Sequence, residues 1–341
     1  MPRKIALITG ITGMVGSHMA DYLLENTDWD VYGMYRWRSP LDNIEHLLPS
    51  INTGNRVHLL YGDLRDSVSL GSVIKNSKPD YIFHLAAQSY PKTSFSSPLD
   101  TLDTNILGTA RLLEIIKELK ESGDIDPVTH VCSSSEVFGR VPKEKTPIHE
   151  ETTFHPASPY AISKTGTDLI GRFYAEAYGL KTLTTRMFTH TGPRRGDVFA
   201  ESTFAKQIAM AEAGLIPPVV KTGNLDSLRT WSDVRDAVRA YYLLVTINPT
   251  PGEYYNIGGT YTCTVGKTLD YLLSLSTVKN IKVEIDTNRL RPIDADLQVP
   301  NTEKFQKHTG WKPEIPFEKT MQDLLDYWRC KIRQGKCFLT R

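Results

Sequence analysis

Four side chains in two short stretches could carry proton and hydride chemistry. Val131-Cys132-Ser133-Ser134-Ser135-Glu136 places a hydroxyl, Ser134, two residues before a carboxylate, Glu136, just past an apolar β-branched run. Ser158-Pro159-Tyr160-Ala161-Ile162-Ser163-Lys164 places a phenol and an ammonium at i and i+4. In a helix that spacing puts both groups on one face. There the Lys164 ammonium would lower the pKa of the Tyr160 phenol and make it a usable base near neutral pH. Such a base takes the proton from a hydroxyl while hydride leaves the same carbon, provided that a nucleotide cofactor lies beside it. Without a cofactor fold around them, the same residues are a strand end and an amphipathic helix.

The elements that must hold these groups are legible. Short apolar runs at Ile5–Thr9, Val31–Tyr35, Val57–Tyr61, Tyr81–Leu85, Val128–Ser133 and Leu183–Met187 alternate with helical patterns at Val15–Glu25, Ser67–Lys75, Asn105–Lys120 and Tyr160–Tyr178. Ser158 as N-cap, Pro159 in the first turn and Gly179 past the end delimit the last of these helices. Strands buried on both faces and separated by helices predict an α/β fold with a doubly wound parallel sheet of Rossmann type. Beyond Met187 the rhythm breaks. A loop at Thr191–Gly196, helices at Phe204–Ala213, Thr230–Val245 and Phe317–Ile332, and a strand at Tyr254–Ile257 predict a smaller mixed α/β lobe over the carboxyl ends of the strands. The expected division is residues 1–187 with about 227–261 for the dinucleotide-binding domain, and 188–226 with 262–341 for the substrate-binding lobe.

A cofactor site follows the first strand. Gly10-Ile11-Thr12-Gly13-Met14-Val15-Gly16 gives a tight turn and a close backbone approach to a pyrophosphate, with a helix N-terminus facing the phosphates. Where an acid would contact a ribose 2′-hydroxyl, the chain has Tyr35-Arg36-Trp37-Arg38. Two guanidinium groups suit a 2′-phosphate, so Arg36 and Arg38 favour NADP over NAD. Gly62-Asp63-Leu64 ends the third strand where adenine would lie, and Leu85-Ala86-Ala87-Gln88-Ser89 ends the fourth with small residues close to the cofactor. His84 is expected to be a hydrogen-bonded strand-end side chain, and Asn105 a cap or clamp between elements.

Composition narrows the class. In 341 residues, 40 Lys plus Arg face 39 Asp plus Glu, so nothing draws the chain globally to nucleic acid or an anionic membrane. The four cysteines form no C-x-x-C pair, which argues against a zinc site or disulfide framework and fits a reducing, cytoplasmic setting. No metal ligands are assigned. No apolar run reaches the length of a membrane span.

Gly10/Gly13/Gly16, Gly62-Asp63-Leu64, Ala86-Ala87-Gln88-Ser89 and Tyr160/Lys164 resemble the extended short-chain dehydrogenase/reductase superfamily. Arg36 with Asn43-Ile44-Glu45-His46-Leu47, Lys92 with Ser94-Phe95, Ser135-Glu136, Pro193-Arg194-Arg195-Gly196 and Gly223-Asn224-Leu225-Asp226 are similar to the GDP-mannose 4,6-dehydratases within it. That resemblance implies a GDP-sugar substrate and catalysis by Ser134, Glu136, Tyr160 and Lys164. Around the cofactor it implies Thr12, Met14 and Val15 with the three glycines, then Arg36, Arg38, Asp63 and Leu64. It adds Leu85, Ala86, Ala87, Ser89, His190 and Arg195, besides Tyr160 and Lys164 themselves. For the substrate it implies Ser89, Lys92, Ser134 and Thr189, with Lys206, Arg229 and Arg291 near the diphosphate. A homodimer or homotetramer is expected, with Arg194 and Arg195 either in a subunit contact near the cofactor or in a solvated loop. Epimerase, 4-keto reductase and C4 dehydrogenase activities, and dehydratases of other GDP-sugars, stay open within the same fold. Three departures stand out: Ser134 where the family has Thr, Thr189 where it has Asn, and Thr230 where it has an acid.

Overall fold

The computed structural model describes residues 2–290 and 297–336. Its centre is one sheet of seven strands: β1 (Ile5–Thr9), β2 (Asp30–Tyr35), β3 (Val57–Tyr61), β4 (Tyr81–His84), β5 (Val128–Cys132), β6 (Thr182–Met187) and β10 (Tyr254–Ile257). They run in the order β3-β2-β1-β4-β5-β6-β10, and every pairing is parallel. Chain order reverses on either side of β1, which opens a crevice at the carboxyl ends of β1 and β4.

Both faces of the sheet are covered, so β1, β4 and β6 are buried almost throughout, although β6 carries three threonines and an arginine. On one side Met19, Leu23, Val238, Tyr241, Leu244 and Trp311 pack on Ile8, Phe83 and Leu183. On the other, Leu70, Val73, Leu112, Leu113 and Ile116 pack on Leu7, Met34 and Ile82. Each fully buried side chain of this size contributes roughly 1.5–3 kcal/mol. The helix Pro159–Tyr178 begins at its Ser158 cap and ends at Gly179 with φ 63°, as the sequence predicts. A buried ion pair fixes it to β6: Arg186 Nε and Nη2 donate to Asp168 Oδ2 and Oδ1 at 2.8 and 3.0 Å.

The rest of the chain builds smaller sheets. These contain β7 (His190–Thr191), β8 (Val219–Thr222), β9 (Leu228–Asp233), β11 (Tyr261–Thr264), β12 (Lys282–Ile285) and β13 (Leu297–Gln298). The path β11-β9-β13 carries β7 on β9, and β8 pairs with β12. Around Trp231, Phe204, Ile208, Leu269, Met321 and Trp328 they share a second core with the helices Ala200–Glu212, Val265–Ser274 and Phe317–Arg333. The helix expected from Thr230 begins only at Val234. Thr230, Trp231 and Ser232 extend β9 instead, and the Asp233 carboxylate caps the helix by accepting the Arg235 N–H. Trp231, Trp311 and Trp328 are all buried, in keeping with packing roles.

Candidate active site

The glycine turn is shaped by contacts that leave no room for side chains. Gly10 has φ 75°, and a Cβ there would lie 2.9 Å from Ala86 Cα. A Cβ on Gly16 would lie 2.2 Å from the Gly10 carbonyl oxygen. The helix Met14–Asn26 starts at Gly13 with no side-chain cap, so its first-turn N–H groups are available to anionic oxygens. These features fit a dinucleotide pyrophosphate held by Gly10, Thr12, Gly13, Met14, Val15 and Gly16. Asn43, which sequence reasoning did not assign to the site, steadies the turn by donating to the Thr12 carbonyl at 3.0 Å. Only its place in a family-like stretch could have marked it.

At the end of β4 the backbone is positioned by a buried hydroxyl. Thr9 Oγ1 accepts the N–H groups of Leu85 and Ala86 at 3.0 and 3.1 Å and lies 3.0 Å from His84 Nδ1. His84 Nε2 lies 3.0 Å from Thr109 Oγ1, which donates to the Asn105 carbonyl. That chain requires a neutral imidazole with its proton on Nε2. Burial agrees, pushing His84 down to about 3. His84 is therefore a structural link, and Asn105 is a clamp: its side-chain amide exchanges hydrogen bonds with the Gln88 backbone and donates to Ser163 Oγ.

Ser134, Glu136, Tyr160 and Lys164 come together where β5 meets the helix Pro159–Tyr178. Ser134 caps the short 3₁₀ turn Ser135–Phe138 by accepting the Glu136 N–H at 3.2 Å. Ser134 is near enough to the Tyr160 phenol to lower its pKa, and Glu136 is near enough to raise it electrostatically. Lys164 is anchored to the strand end. Its Nζ donates to the Cys132 carbonyl at 2.7 Å, and burial lowers its own pKa. Burial raises the Tyr160 pKa, while Ser134 and the Arg195 guanidinium oppose the rise. Arg195 is one cation that acts electrostatically on the phenol. It is held by Glu201 Oε1 at 3.1 Å and lies over the Phe199 ring.

The remaining residues divide by the partners they have. Among the described residues Arg36 and Arg38 form no ion pair; both are exposed, and Arg36 acts electrostatically on Asp63. Asp63 itself is bound by Arg65 through Nε and Nη2, which lowers its pKa, and Leu64 is buried beneath. Ala87 is half-buried and Ser89 exposed. Lys92 reaches across to the smaller lobe and donates to the Asn288 carbonyl. His190 Nδ1 donates to the Phe188 carbonyl, and burial pushes its pKa down to about 4. Thr189 is half-buried beside it, its carbonyl accepting the Ser232 N–H at 3.0 Å. Lys206 is buried against Asp197 at 2.8 Å rather than standing as an open cation. Arg229 lies on β9, and Arg291 is outside the described residues. Arg194 pairs with Asp21 of the same chain at 2.6 Å. Among the described residues no acidic, His and Cys groups cluster as metal ligands, and no helix is long and apolar enough to cross a membrane.

A Rossmann-type sheet with a glycine turn on its first strand and Tyr160/Lys164 on one helix defines an extended short-chain dehydrogenase/reductase. Within that class the chain belongs to the GDP-mannose 4,6-dehydratase family, whose model matches residues 7–324. It is 34% identical to GDP-mannose 4,6 dehydratase 1 of Arabidopsis thaliana, across 95% of this chain and 90% of that protein. The Cricetulus griseus GDP-mannose 4,6 dehydratase is 33% identical, across 95% and 91%. The structure of RMD from Pseudomonas aeruginosa complexed with NADPH superposes with TM-score 0.80 at 28% identity, covering 96% of this chain and 99% of that one. The dTDP-glucose 4,6-dehydratase of Bacillus anthracis in complex with NAD shares the fold, with TM-score 0.81 at 24% identity and coverage of 97% and 98%.

Proposed function

We propose that this chain is a GDP-mannose 4,6-dehydratase that works with NADP. The observation that carries the reading is the meeting of Ser134, Glu136 and Tyr160 at one point, in a chain that matches the family almost end to end. A bound nicotinamide dinucleotide supplies a reversible hydride store between C4 and C6 of the hexose, so no net reductant is consumed. Tyr160 as phenolate takes the proton of the C4 hydroxyl. Ser134 accepts the Glu136 N–H with one lone pair, and its own O–H is a donor for the same C4 oxygen. Once C4 is a ketone, the C5 proton is acidic, and Glu136 removes it. Glu136 then passes that proton to the departing C6 hydroxyl, which leaves as water. C5 finally takes a proton from solvent.

The cofactor preference is proposed from Arg36 and Arg38, and agrees with the NADPH bound by the Pseudomonas relative. The GDP-sugar substrate is proposed from the family. A homodimer is proposed from an exposed apolar stripe, Ile162, Leu169 and Phe173, on the helix Pro159–Tyr178.

Incubation with GDP-mannose in heavy water tests the activity by mass spectrometry. The expected product has lost one water and gained one deuterium at C5, with no NADPH added. An isomer with no loss of water would indicate an epimerase instead, and stoichiometric oxidation of NADPH a reductase. Glu136→Gln is expected to stop elimination while leaving some reduction of bound NADP; elimination at the full rate would remove Glu136 from its role.

A further inference from the structure

Gln298 is the one side chain in β13 whose chemistry its own surroundings leave unused. It is 1% exposed, yet among the described residues neither Nε2 nor Oε1 has a hydrogen-bond partner. A buried amide with both ends unmet is costly, and an apolar residue of the same size would fit without that cost. Position explains what the amide could serve. β13 pairs with β9 so that Gln298 is opposite Arg229, and register partners stand on one face of a sheet. On its other flank, Ile148 donates to the Val299 carbonyl at 2.7 Å and accepts from the Asn301 N–H at 2.8 Å. Ile148 belongs to the apolar group of Val137, Phe138 and Phe188 that backs Glu136. Gln298 therefore lies on a strand flanked on one side by the arginine expected at the substrate diphosphate and on the other by Ile148, which packs with Val137 and Phe138 of the turn that carries Glu136.

We propose that Gln298 is a substrate-reading residue whose carboxamide hydrogen-bonds a pair of neighbouring hydroxyl groups of the bound nucleotide sugar. The inference rests on the dehydratase reading above and extends it. An amide presents a donor and an acceptor side by side, and adjacent hydroxyls can meet both. A phosphate only accepts, and would leave Oε1 unmet. In a nucleotide sugar the groups on either side of the diphosphate are the ribose and the hexose, both rich in hydroxyls, whereas the base is one ribose further away. Binding of either sugar beside Arg229 would satisfy both ends of the amide at once, and a substrate lacking the hydroxyls would leave them unpaired.

The test compares wild type with Gln298→Met, both loaded with NADP, by calorimetric titration with GDP and with GDP-mannose, and by thermal unfolding without sugar nucleotide. The Met variant is expected to unfold at the same temperature or higher, since two unmet polar groups are gone. It is expected to bind GDP-mannose roughly tenfold or more weakly. If GDP binding weakens equally, the hydroxyls read are those of the ribose; if only GDP-mannose binding weakens, they are those of the hexose. Unchanged affinity for both ligands overturns the inference while leaving the dehydratase reading intact. A wild type that binds neither ligand overturns that reading, and the inference with it.

Discussion

The ammonium nitrogen of Lys164 lies 2.7 Å from the carbonyl oxygen of Cys132, which joins the helix that carries Tyr160 to the end of β5, next to Ser134. The residue that sequence spacing assigns to tuning a phenol is therefore also a tie between two elements. Removing it should show in stability as well as in rate. Lys164→Met leaves a buried carbonyl unmet, a cost of about 1–3 kcal/mol, and is expected to lower the unfolding temperature and to reduce turnover by about 100-fold or more. Tyr160→Phe is expected to abolish turnover with little change in unfolding. If Lys164→Met melts like wild type, the tie contributes nothing.

Cofactor choice should follow Arg36 and Arg38. Replacing both by Ala removes the cations placed for a 2′-phosphate, each charge-assisted bond contributing about 1.5–3 kcal/mol. NADP affinity, measured by titration, is expected to fall by about 30-fold or more, with NAD affinity nearly unchanged. A constant ratio between the two cofactors would sink the assignment.

Acid should weaken the fold through four imidazoles, three of them buried and His190 half-buried. His18 and His190 are pushed down to about 4, and His84 and His130 to about 3, in each case chiefly by burial. Between those values and the ordinary 6.5 the unfolded chain binds more protons than the folded one, so stability rises with pH there and is lost as pH falls. Denaturant unfolding measured across this window should report an uptake near pH 5 of about four protons. His130→Gln should reduce that uptake by about one. A stability flat between pH 4 and 6.5 would show that these rings are protonated in the fold.

The Arg186–Asp168 pair predicts a large effect far from the chemistry. Both side chains are almost fully shielded, at 1% and 0% exposure. Asp168→Asn strands a buried guanidinium and is expected to cost about 3–5 kcal/mol in chemical denaturation. Asp168→Asn combined with Arg186→Met should recover part of that loss. A single substitution costing under about 1 kcal/mol would place the pair among those that solvent already screens.

Much of this protein is written in short stretches. The glycine turn, the Ser158 cap with Pro159 and Gly179, and the β-branched runs each specify local backbone geometry, so the parallel sheet and the Tyr160/Lys164 helix were legible from spacing alone. The β9 boundary was not, because Leu228–Asp233 could serve a helix or a strand until β7, β11 and β13 supplied its partners. Lys206 shows the same limit for charge. The family resemblance put it near the diphosphate, and only packing brought it against Asp197.

By itself, then, the sequence determined the fold class, the cofactor turn and the identity of the four groups proposed for catalysis, because each depends on neighbours within a few residues. Tertiary structure decided which charges those groups feel. It turned Lys164 to Cys132 O, brought Arg195 near enough to act on Tyr160, and left the Gln298 amide without a partner among the described residues, opposite Arg229. Burial and Coulomb forces depend on atoms close in space and distant in the chain, so no reading of spacing could have assigned them.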